Sequence, residues 1–465
     1  MGTAVGTSDI SADLVVIGYG KGGKTLAATL ARQGWQVVMV ERSPLMYGGT
    51  CINVGCVPTK AMVAHSEHLG PGPHRESYRH AVEFTANLTS TLRAQNLAML
   101  ENLQSATVLT GNARFVDSHT VEVRTSDGKT VTVSGRYLVV GTGSQAVLPD
   151  IPGLAEAGNV VTSTELLVVP ELPKRLVVLG GGYIGLEFAA MHAAYGSEVT
   201  VLERRPAILA GEDDDVAAEA RAVLTAAGVR LITSAVVERV ENHADGTASV
   251  HYRVGEEADS AVADTILVAL GRAPVTAELE LARAGVQTTP TGAIAVDEHL
   301  RTSEPHIFAI GDVNGGPQFT YVSFDDYRIV LDHLTGTGTR STADRHAVPY
   351  SLFLTPPLSR VGMTERAATE AGKSIRTATM RVADMATVPR ARIVEQTAGL
   401  MKVVVDVDTD EILGAALLSH DSHEVINLVA LAMRHGITAT ALRDEIYTHP
   451  SMTEAFNQLL GALKP

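Results

Sequence analysis

The chain has two cysteines, Cys51 and Cys56, and both lie in a segment that reads GGTCINVGCVPTK over residues 48–60. Two thiols this close together could form a reversible disulfide. In an ideal helix, Cα atoms five residues apart are separated by about 8.6 Å, whereas a disulfide tolerates about 7 Å at most. A bridge would therefore need a distorted backbone at the start of a helix, which Gly55 and Pro58 permit.

A helix that begins at Cys56 would also favour the thiolate form of this side chain, because a helix N-terminus lowers the pKa of a thiol. Lys60 follows four residues later on the same helical face and adds a positive charge. A structural disulfide and two unrelated buried thiols are the alternatives. In a cytoplasmic chain a close cysteine pair is more often catalytic than structural, so we expect redox chemistry here.

A repeated strand–turn–helix unit is expected to position this pair. Apolar residues 14–17 and 176–179 each run into a G-x-G-x-x-G turn. Each turn is followed by a helix-like segment and a second apolar strand that ends on an acid. The residues concerned are Gly18, Gly20, Gly23 and Glu41 in the first unit, and Gly180, Gly182, Gly185 and Glu203 in the second.

This layout has a definite physical purpose. The first glycine makes a tight turn, the second lets backbone approach a pyrophosphate, and the third lets helix pack on strand. The helix N-terminus offers free N–H groups and a positive dipole end to phosphates, and the acid accepts hydrogen bonds from ribose hydroxyls. One such motif can be an ordinary glycine-rich turn, but two complete units predict two dinucleotide sites.

Further elements follow the second unit. Residues 268–272 and 307–312 predict apolar strands that end in glycine at the ligand edge of a sheet. Residues 400–407 and 412–418 predict a hairpin, and residues 422–435 predict an amphipathic helix. Asp421 is its expected N-cap and Gly436 lies past its end. These elements predict a separate C-terminal α/β domain, joined through residues 336–343.

Composition limits the function classes. The 465 residues should divide into two to four domains, and 45% apolar but 4% aromatic residues suit parallel strands between helices. The net charge of −15 disfavours nucleic acid and anionic membrane as partners. No stretch approaches the ~20 apolar residues of a membrane span. Residues 1–12 predict a frayed polar tail before a cytoplasmic domain.

The segment 48–60 resembles the pyridine nucleotide–disulfide oxidoreductases, flavoenzymes that include glutathione reductase, dihydrolipoamide dehydrogenase and mercuric reductase. The likeness extends over residues 14–454. It implies an α/β fold with two Rossmann-like dinucleotide-binding domains, a C-terminal α/β dimerisation domain, and a homodimer. The expected domains are FAD-binding (1–148 and 273–341), NAD(P)-binding (149–272) and dimerisation (342–465).

The resemblance also implies the cofactor contacts. FAD is expected at Gly18, Gly20, Gly23, Glu41, Gly49, Thr50, Lys60, Ala113, Thr142, Gly143, Ser144 and Asp312. The nicotinamide dinucleotide is expected at Gly180, Gly182, Ile184, Gly185, Glu203 and Gly271. We expect NADH rather than NADPH, because Glu203 would repel a 2′-phosphate. NADPH stays possible, since Arg204 and Arg205 follow and could compensate.

By the same likeness, Cys56 is the charge-transfer thiol nearest the flavin and Cys51 is the exchange thiol that meets the substrate. Lys60 is expected to pair with Glu187 beside the flavin N5. An ordinary ion pair is the alternative, but a buried pair seldom adds stability.

Residues 449–454 resemble the family's C-terminal dyad, which serves the cysteines of the partner subunit. His449 would shuttle a thiol proton while Glu454 orients it. The alternative for His449 is an ordinary packed histidine. The bond between His449 and Pro450 is a candidate cis peptide bond.

Residues 18–27, 318–321, 325–330, 355–365 and 421–424 resemble one bacterial group of this family, the reactive-chlorine-resistance reductases. That group is similar to mercuric reductase and is described as reducing Cu(II) under hypochlorous acid stress. The expected acceptor is therefore a metal ion, a disulfide or another small molecule.

Three alternative functions can be weighed by the residues that each requires. Mercuric reductase uses a second, C-terminal cysteine pair, but no cysteine follows Cys56. Dihydrolipoamide dehydrogenase usually has a histidine where this chain has Tyr447, which weakens that alternative. A flavin-bearing thiol sensor without turnover would not need a proton-shuttling dyad. Metal ligands stay unknown, and His420 and His423 are more readily interpreted as solvated residues at a helix start.

Overall fold

The computed structural model describes residues 8–67, 69–70 and 72–463. Residues 1–7 of the predicted N-terminal tail lie outside this range. The tail prediction was wrong for residues 8–12, because the first strand already begins at Ser8 and pairs in parallel with residues 131–135. Within the described residues, no helix has the length and apolar character needed to cross a membrane.

The elements occur as follows in chain order. The strands are β1 (Ser8–Ile17), β2 (Val37–Glu41), β3 (Ala106–Phe115), β4 (Thr120–Thr125), β5 (Thr130–Val140), β6 (Ser144–Ala146), β7 (Val160–Val161), β8 (Arg175–Leu179), β9 (Glu198–Leu202), β10 (Arg230–Ile232), β11 (Ala235–Asn242), β12 (Ala248–Val254), β13 (Glu257–Ala263), β14 (Thr265–Val268), β15 (Arg272–Pro274), β16 (Ile307–Ala309), β17 (Tyr350–Leu352), β18 (Leu358–Gly362), β19 (Ile375–Arg381), β20 (Leu400–Asp406) and β21 (Ile412–Leu418).

The helices are α1 (Lys21–Arg32), α2 (Gly49–Asn53), α3 (Cys56–Ser66), α4 (Arg75–Glu101), α5 (Ser163–Leu166), α6 (Tyr183–Tyr195), α7 (Asp214–Ala226), α8 (Thr320–Thr335), α9 (Glu365–Glu370), α10 (Pro389–Ile393), α11 (Ser422–Arg434), α12 (Ala439–Arg443) and α13 (Ala455–Gly461). Short 3₁₀ segments occur at Leu281–Ala284, Gly311–Asn314, Thr342–Asp344 and Val382–Asp384.

Of the described residues, the first of two compact units comprises 8–62, 80–147 and 271–344. Its sheet has β1 between the parallel strands β2 and β5, with β3 and β16 at the outer positions, and β4 pairs antiparallel with both β3 and β5. All five residues of β2 are buried. Burial on both faces explains why its sequence is a continuous apolar run rather than an alternating one.

The second unit comprises residues 63–67, 69–70, 72–79, 148–270 and 345–463. It contains a parallel sheet in the order β10-β9-β8-β14-β7 and an antiparallel sheet of β11, β12 and β13. A third sheet, β17-β18-β21-β20-β19, is antiparallel and packs with α11 in one apolar core. The α/β prediction is confirmed in both units. The predicted domain borders at residues 148, 272 and 341 stay predictions, because packing alone does not reveal which ligand each domain binds.

The predicted C-terminal hairpin is confirmed, since β20 and β21 pair antiparallel. The predicted helix is also present as α11. Asp421 occupies its N-cap position, as predicted. Its backbone is left-handed, with φ of 55°, and its side chain makes no capping hydrogen bond.

The two predicted glycine turns have matching backbones. Gly18 and Gly180 have φ of 103° and 108°, and a Cβ atom on either would collide with the carbonyl oxygen of Gly141 or Ala269. Only glycine adopts this conformation readily and permits this approach. The repeat seen in the sequence is therefore a repeat in structure.

Candidate active site

The acid that ends the second strand of each unit closes the glycine turn in the same way. Glu41 accepts hydrogen bonds from the backbone N–H groups of Tyr19 (3.0 Å) and Ser43 (3.2 Å). Glu203 accepts them from Gly181 (2.7 Å) and Arg205 (2.7 Å). Burial raises the pKa of Glu41, and these backbone hydrogen bonds oppose that rise. Each carboxylate thus holds its turn beside the start of the following helix, a pair of contacts that we call the glutamate clasp.

Both helices begin after a glycine. The N-cap residues of α1 and α6 are Gly20 and Gly182, and neither supplies a side-chain cap. At the start of α1 the backbone N–H of Gly22 donates to Ser323 Oγ at 3.2 Å. A Cβ atom on Gly182 would meet no atom within 4 Å, whereas one on Gly23 or Gly185 would collide with the turn before it. The glycine N-caps and the open space at Gly182 suit a phosphate, and the tight glycines allow helix to pack on strand. Ile184 is the second residue of α6.

Four of the residues predicted to contact FAD line one groove of the first unit: Gly18, Glu41, Ala113 and Thr142. The Thr142 hydroxyl donates to the carbonyl of Val275 at 2.7 Å. The groove thus gathers side chains and backbone from several strands around the first glycine turn. Its residues fit the adenosine half of a dinucleotide.

Asp312, at the start of the 3₁₀ segment Gly311–Asn314, takes part in a three-residue hydrogen-bond chain. The Ser144 hydroxyl donates to Asp312 Oδ2 at 2.6 Å, and Arg272 Nε donates to the Ser144 oxygen at 2.8 Å. Burial lowers the pKa of Arg272, and the Asp312 carboxylate opposes this effect. Gly143 and Gly271 flank this chain with φ of 72° and 115°.

The helix around the cysteines is broken where the sequence predicts it. Helix α2 ends at Asn53, Val54 has φ of −143°, and α3 begins at Cys56. Cys51 is therefore the third residue of a short helix and Cys56 the first of a longer one. Both cysteines are free thiols in this structure, so a disulfide between them stays a prediction.

The surroundings of the two thiols push their pKa values in opposite directions. A hydrogen bond from Cys51, then the Thr320 hydroxyl at 3.4 Å and the Lys60 charge, lower the pKa of Cys56 to about 6 against the effect of burial. The bond that Cys51 makes to Cys56, followed by burial, raises the pKa of Cys51. The reduced pair therefore holds one thiolate, on Cys56, at neutral pH.

Lys60 and Glu187 lie on separate elements. Lys60 is on α3, one turn after Cys56. Glu187 is on α6, is 6% exposed, and accepts a hydrogen bond from the backbone N–H of Phe353 at 2.9 Å. These residues belong to different compact units, and their pairing stays a prediction.

The C-terminal dyad is formed within the second unit. His449 Nδ1 and Glu454 Oε1 are 2.6 Å apart, and the backbone N–H of Ser451 donates to Glu454 Oε2 at 2.7 Å. Burial acts to raise the pKa of Glu454, but these two bonds hold it below its usual value. The His449 side chain is 67% exposed, so its Nε2 is available outside the chain. The bond between His449 and Pro450 is cis.

Two positions near the thiols were missed as site residues. Thr320, the first residue of α8, contacts Cys56, and Arg93 of α4 donates to the side chain of Asn53 at the end of α2 (2.8 Å). The signal for Thr320 was a hydroxyl at a helix start directly after the predicted strand 307–312. No local signal identifies Arg93, since its partner is 40 positions away.

The predicted FAD contacts Gly49 and Thr50 open α2. Gly49 lies so close to Gly20 that a Cβ atom on it would come within 2.7 Å of the Gly20 Cα atom. The redox helix α2 therefore abuts the start of α1. This approach brings the cysteine segment to the glycine turn.

No group of three or more metal-ligating side chains occurs in the described part of the chain. His420 Nδ1 lies 3.0 Å from Gln396 Oε1, and its Nε2 lies 3.1 Å from Asp421 Oδ2. Both ring nitrogens therefore have protein partners. The metal ligands stay unknown.

Comparison with known proteins identifies the family. Residues 12–326 match the pyridine nucleotide-disulphide oxidoreductases, and residues 348–460 match the dimerisation domain of the same family. The chain belongs to the pyridine nucleotide-disulphide oxidoreductase family. The predicted family and the predicted class of enzyme, a pyridine nucleotide-dependent flavoprotein oxidoreductase, are confirmed. Flavin and nicotinamide cofactors follow from this membership.

Individual members of the pyridine nucleotide-disulphide oxidoreductases resemble the chain over nearly its whole length. It is 46% identical to the pyridine nucleotide-disulfide oxidoreductase RclA of Escherichia coli K12, covering 97% of this chain and 99% of RclA. It is 35% identical to mercuric reductase of Streptomyces lividans, covering 95% and 94% of the two chains. The solved Cu(II) complex of the HOCl-induced flavoprotein disulfide reductase RclA superimposes with a TM-score of 0.92, at 44% identity, covering 98% of this chain and 100% of that one.

Proposed function

We propose that this protein is an FAD-dependent NADH oxidoreductase that passes two electrons through the Cys51–Cys56 pair to a metal ion, with Cu(II) as the favoured acceptor. The observation that carries the proposal is the polarised thiol pair. Cys56 is held as a thiolate by Cys51, Thr320 and Lys60, while Cys51 keeps its proton. An inert structural pair would have no need of this asymmetry.

The residues would act in a fixed sequence. A bound flavin supplies the chemistry that moves the electron pair of a hydride from the nicotinamide to the disulfide. Reduction breaks the S–S bond, leaving Cys56 as the thiolate and Cys51 as the thiol. Cys51, the exchange thiol, then faces the acceptor. Two Cu(II) ions would take one electron each and become Cu(I) as the disulfide forms again, and the single proton of Cys51 is released.

His449 is proposed to hold and move the proton of the partner subunit's exchange thiol. The Glu454 carboxylate binds His449 Nδ1 at 2.6 Å, which leaves Nε2 for the thiol. This role requires a homodimer, which the match of residues 348–460 to the dimerisation domain supports. The two sites would then be equivalent by two-fold symmetry.

NADH is the proposed donor because Glu203 ends the second strand of its unit, where an adenosine ribose would lie. We propose a cytoplasmic location because both cysteines belong to the redox pair and none remains for structural disulfides. Cu(II) is favoured as acceptor because RclA, 44% identical, was solved as a Cu(II) complex. Dihydrolipoamide or another disulfide is the second candidate, since the same thiol pair could exchange with it.

The deciding experiment measures steady NADH oxidation with Cu(II), a quinone or lipoamide as the sole acceptor. Turnover is expected with Cu(II) and should fall to the background rate in Cys51→Ser. Lipoamide turnover above that with Cu(II) would favour the disulfide reductase. Thiol oxidation without turnover on any acceptor would indicate a redox sensor and refute the proposal.

A second measurement assigns the flavin-side thiol. Titration with NADH should produce a long-wavelength charge-transfer band, because a thiolate on Cys56 would lie against the flavin. Cys56→Ser should abolish the band while Cys51→Ser should keep one. A band that survives in Cys56→Ser would overturn the assignment.

A further inference from the structure

Lys24 is a buried cation that the functions above do not use. It lies in the first part of α1 and is 5% exposed. Its ammonium group donates a hydrogen bond to the side-chain oxygen of Asn96 on α4. Among the described residues, no carboxylate lies within ion-pair distance of Lys24. A buried lysine without an acidic partner is costly and calls for an anion in its surroundings.

The packing directs Lys24 towards the redox helix. Its backbone N–H donates to the carbonyl of Gly20 at 3.0 Å, one turn earlier, and Gly20 touches Gly49 at the start of α2. From the other side, the amide carbon of Asn96 lies 3.3 Å from the Cβ position of Gly48, the N-cap of α2. Lys24 and its partner Asn96 therefore flank the first turn of the helix that carries Cys51.

We propose that Lys24 is a positioning residue for Cys51: its buried ammonium group, held by Asn96, stabilises negative charge on the exchange thiol from within the same subunit. The inference rests on the proposed role of Cys51. It adds to that function a cation that acts without any residue of the partner subunit.

The electrostatics agree with this geometry. The bond to Cys56, followed by burial, raises the pKa of Cys51, and the positive charge of Lys24 opposes this rise. Burial, followed by the neighbouring charge of Lys21, lowers the pKa of Lys24 to about 8. At pH 7 about nine tenths of Lys24 is then charged. Cys56 and the hydroxyl of Thr320 also act on the pKa of Cys51.

The proposed role of Lys24 concerns the step in which Cys51 attacks or releases an acceptor. Cys51 must lose its proton to react, because the thiolate is the nucleophile. A positive charge within about 4–6 Å lowers the pKa of an acid by about 1–3 units. Loss of the Lys24 charge should therefore raise the pKa of Cys51, so that the thiol loses its proton only at higher pH.

The chain offers a clean assay, because Cys56→Ser leaves Cys51 as its single thiol. The flavin-loaded Cys56→Ser protein is alkylated with iodoacetamide across a pH series, and the midpoint gives the pKa of Cys51. Adding Lys24→Met, which keeps the aliphatic stem, should raise this midpoint by up to about one unit. The midpoint is the readout, since the intrinsic reactivity of a thiolate also changes with its pKa.

Lys21→Met is the matched control. It removes a lysine from the same helix whose charge acts on Lys24 but which is not one of the main influences on the pKa of Cys51, so the midpoint should stay within about 0.3 unit. Asn96→Ala is the second variant in case Lys24→Met does not fold. Without its anchor the ammonium group should be less well held, and the midpoint should rise by a smaller amount.

An unchanged midpoint in a folded Lys24→Met or Asn96→Ala protein overturns the proposal. Lower flavin content with an unchanged midpoint would also overturn it, because Lys24 would then serve the cofactor phosphates. The proposed function fails separately, through the charge-transfer band in Cys56→Ser, which does not depend on Lys24.

Discussion

Replacing Thr320 by valine tests the hydrogen bond that holds Cys56 as a thiolate. The Thr320 hydroxyl lies 3.4 Å from Cys56 Sγ and donates when the sulfur is ionised. A hydrogen bond to a charged group contributes about 1.5–3 kcal/mol. Cys56 is exposed, so solvent screening favours the lower end, and about 1.4 kcal/mol corresponds to one pKa unit.

The expected result is a rise in the pKa of Cys56 from about 6 by about one unit. The sign follows from the chemistry, because a thiolate that loses a donor is easier to protonate. The charge is present above the pKa and is lost as the pH falls through it. At pH 6.5 the thiolate fraction should fall from about three quarters to about one quarter.

The assay uses Cys51→Ser, in which Cys56 is the single thiol and a hydroxyl can still donate from position 51. The charge-transfer absorbance is titrated from pH 4.5 to 9 with and without Thr320→Val. Thr335→Val is the matched control, since it makes the same change near the other end of α8, where the hydroxyl donates to Leu331. Coincident titration curves for all three proteins would refute the reasoning.

Three further predictions concern other parts of the molecule. Wild-type enzyme should have a higher kcat/KM for NADH than for NADPH, and Glu203→Gln should narrow the difference by removing the negative charge; a preference for NADPH would show that Arg204 and Arg205 dominate. Mixed dimers of inactive Cys51→Ser and inactive His449→Ala subunits should regain one working site of two, whereas a histidine acting within its own chain would leave them inactive. Arg360→Met should lower the free energy of urea unfolding by about 3 kcal/mol, because it leaves the Glu212 carboxylate, 1% exposed, without its cation. Arg239→Met, which breaks an exposed ion pair with Glu241, should lower the free energy of unfolding by less than about 1 kcal/mol. Equal losses of unfolding free energy in the two variants would contradict this prediction.

Much of this protein could be predicted because its signals are local in sequence. The glycine turns and the break between α2 and α3 each depend on residues within a few positions of one another, whereas the pairing of His449 with Glu454 was expected from the family resemblance. Glycine conformation, helix propensity and short side-chain contacts determine these features. The α/β class followed from the repeated pattern of apolar strand, turn and helix.

The missed features depend on contacts between distant segments. Thr320 meets Cys56 across 264 positions, and Lys24 meets Asn96 across 72. Neither contact is indicated by the periodicity or the composition of the sequence. The predicted tail failed for a related reason, because residues 8–12 include three polar side chains but gain their strand conformation from pairing with β5.

The glutamate clasps determine whether the turns of each dinucleotide site lose their conformational entropy during folding or during ligand binding. Because Glu41 and Glu203 fasten their turns through the chain's own backbone, the loss of loop entropy accompanies folding rather than ligand binding. Each binding site is then preorganised before its ligand binds. The cofactor-free protein should be stable and should rebind its cofactors without a change in the conformation of these turns.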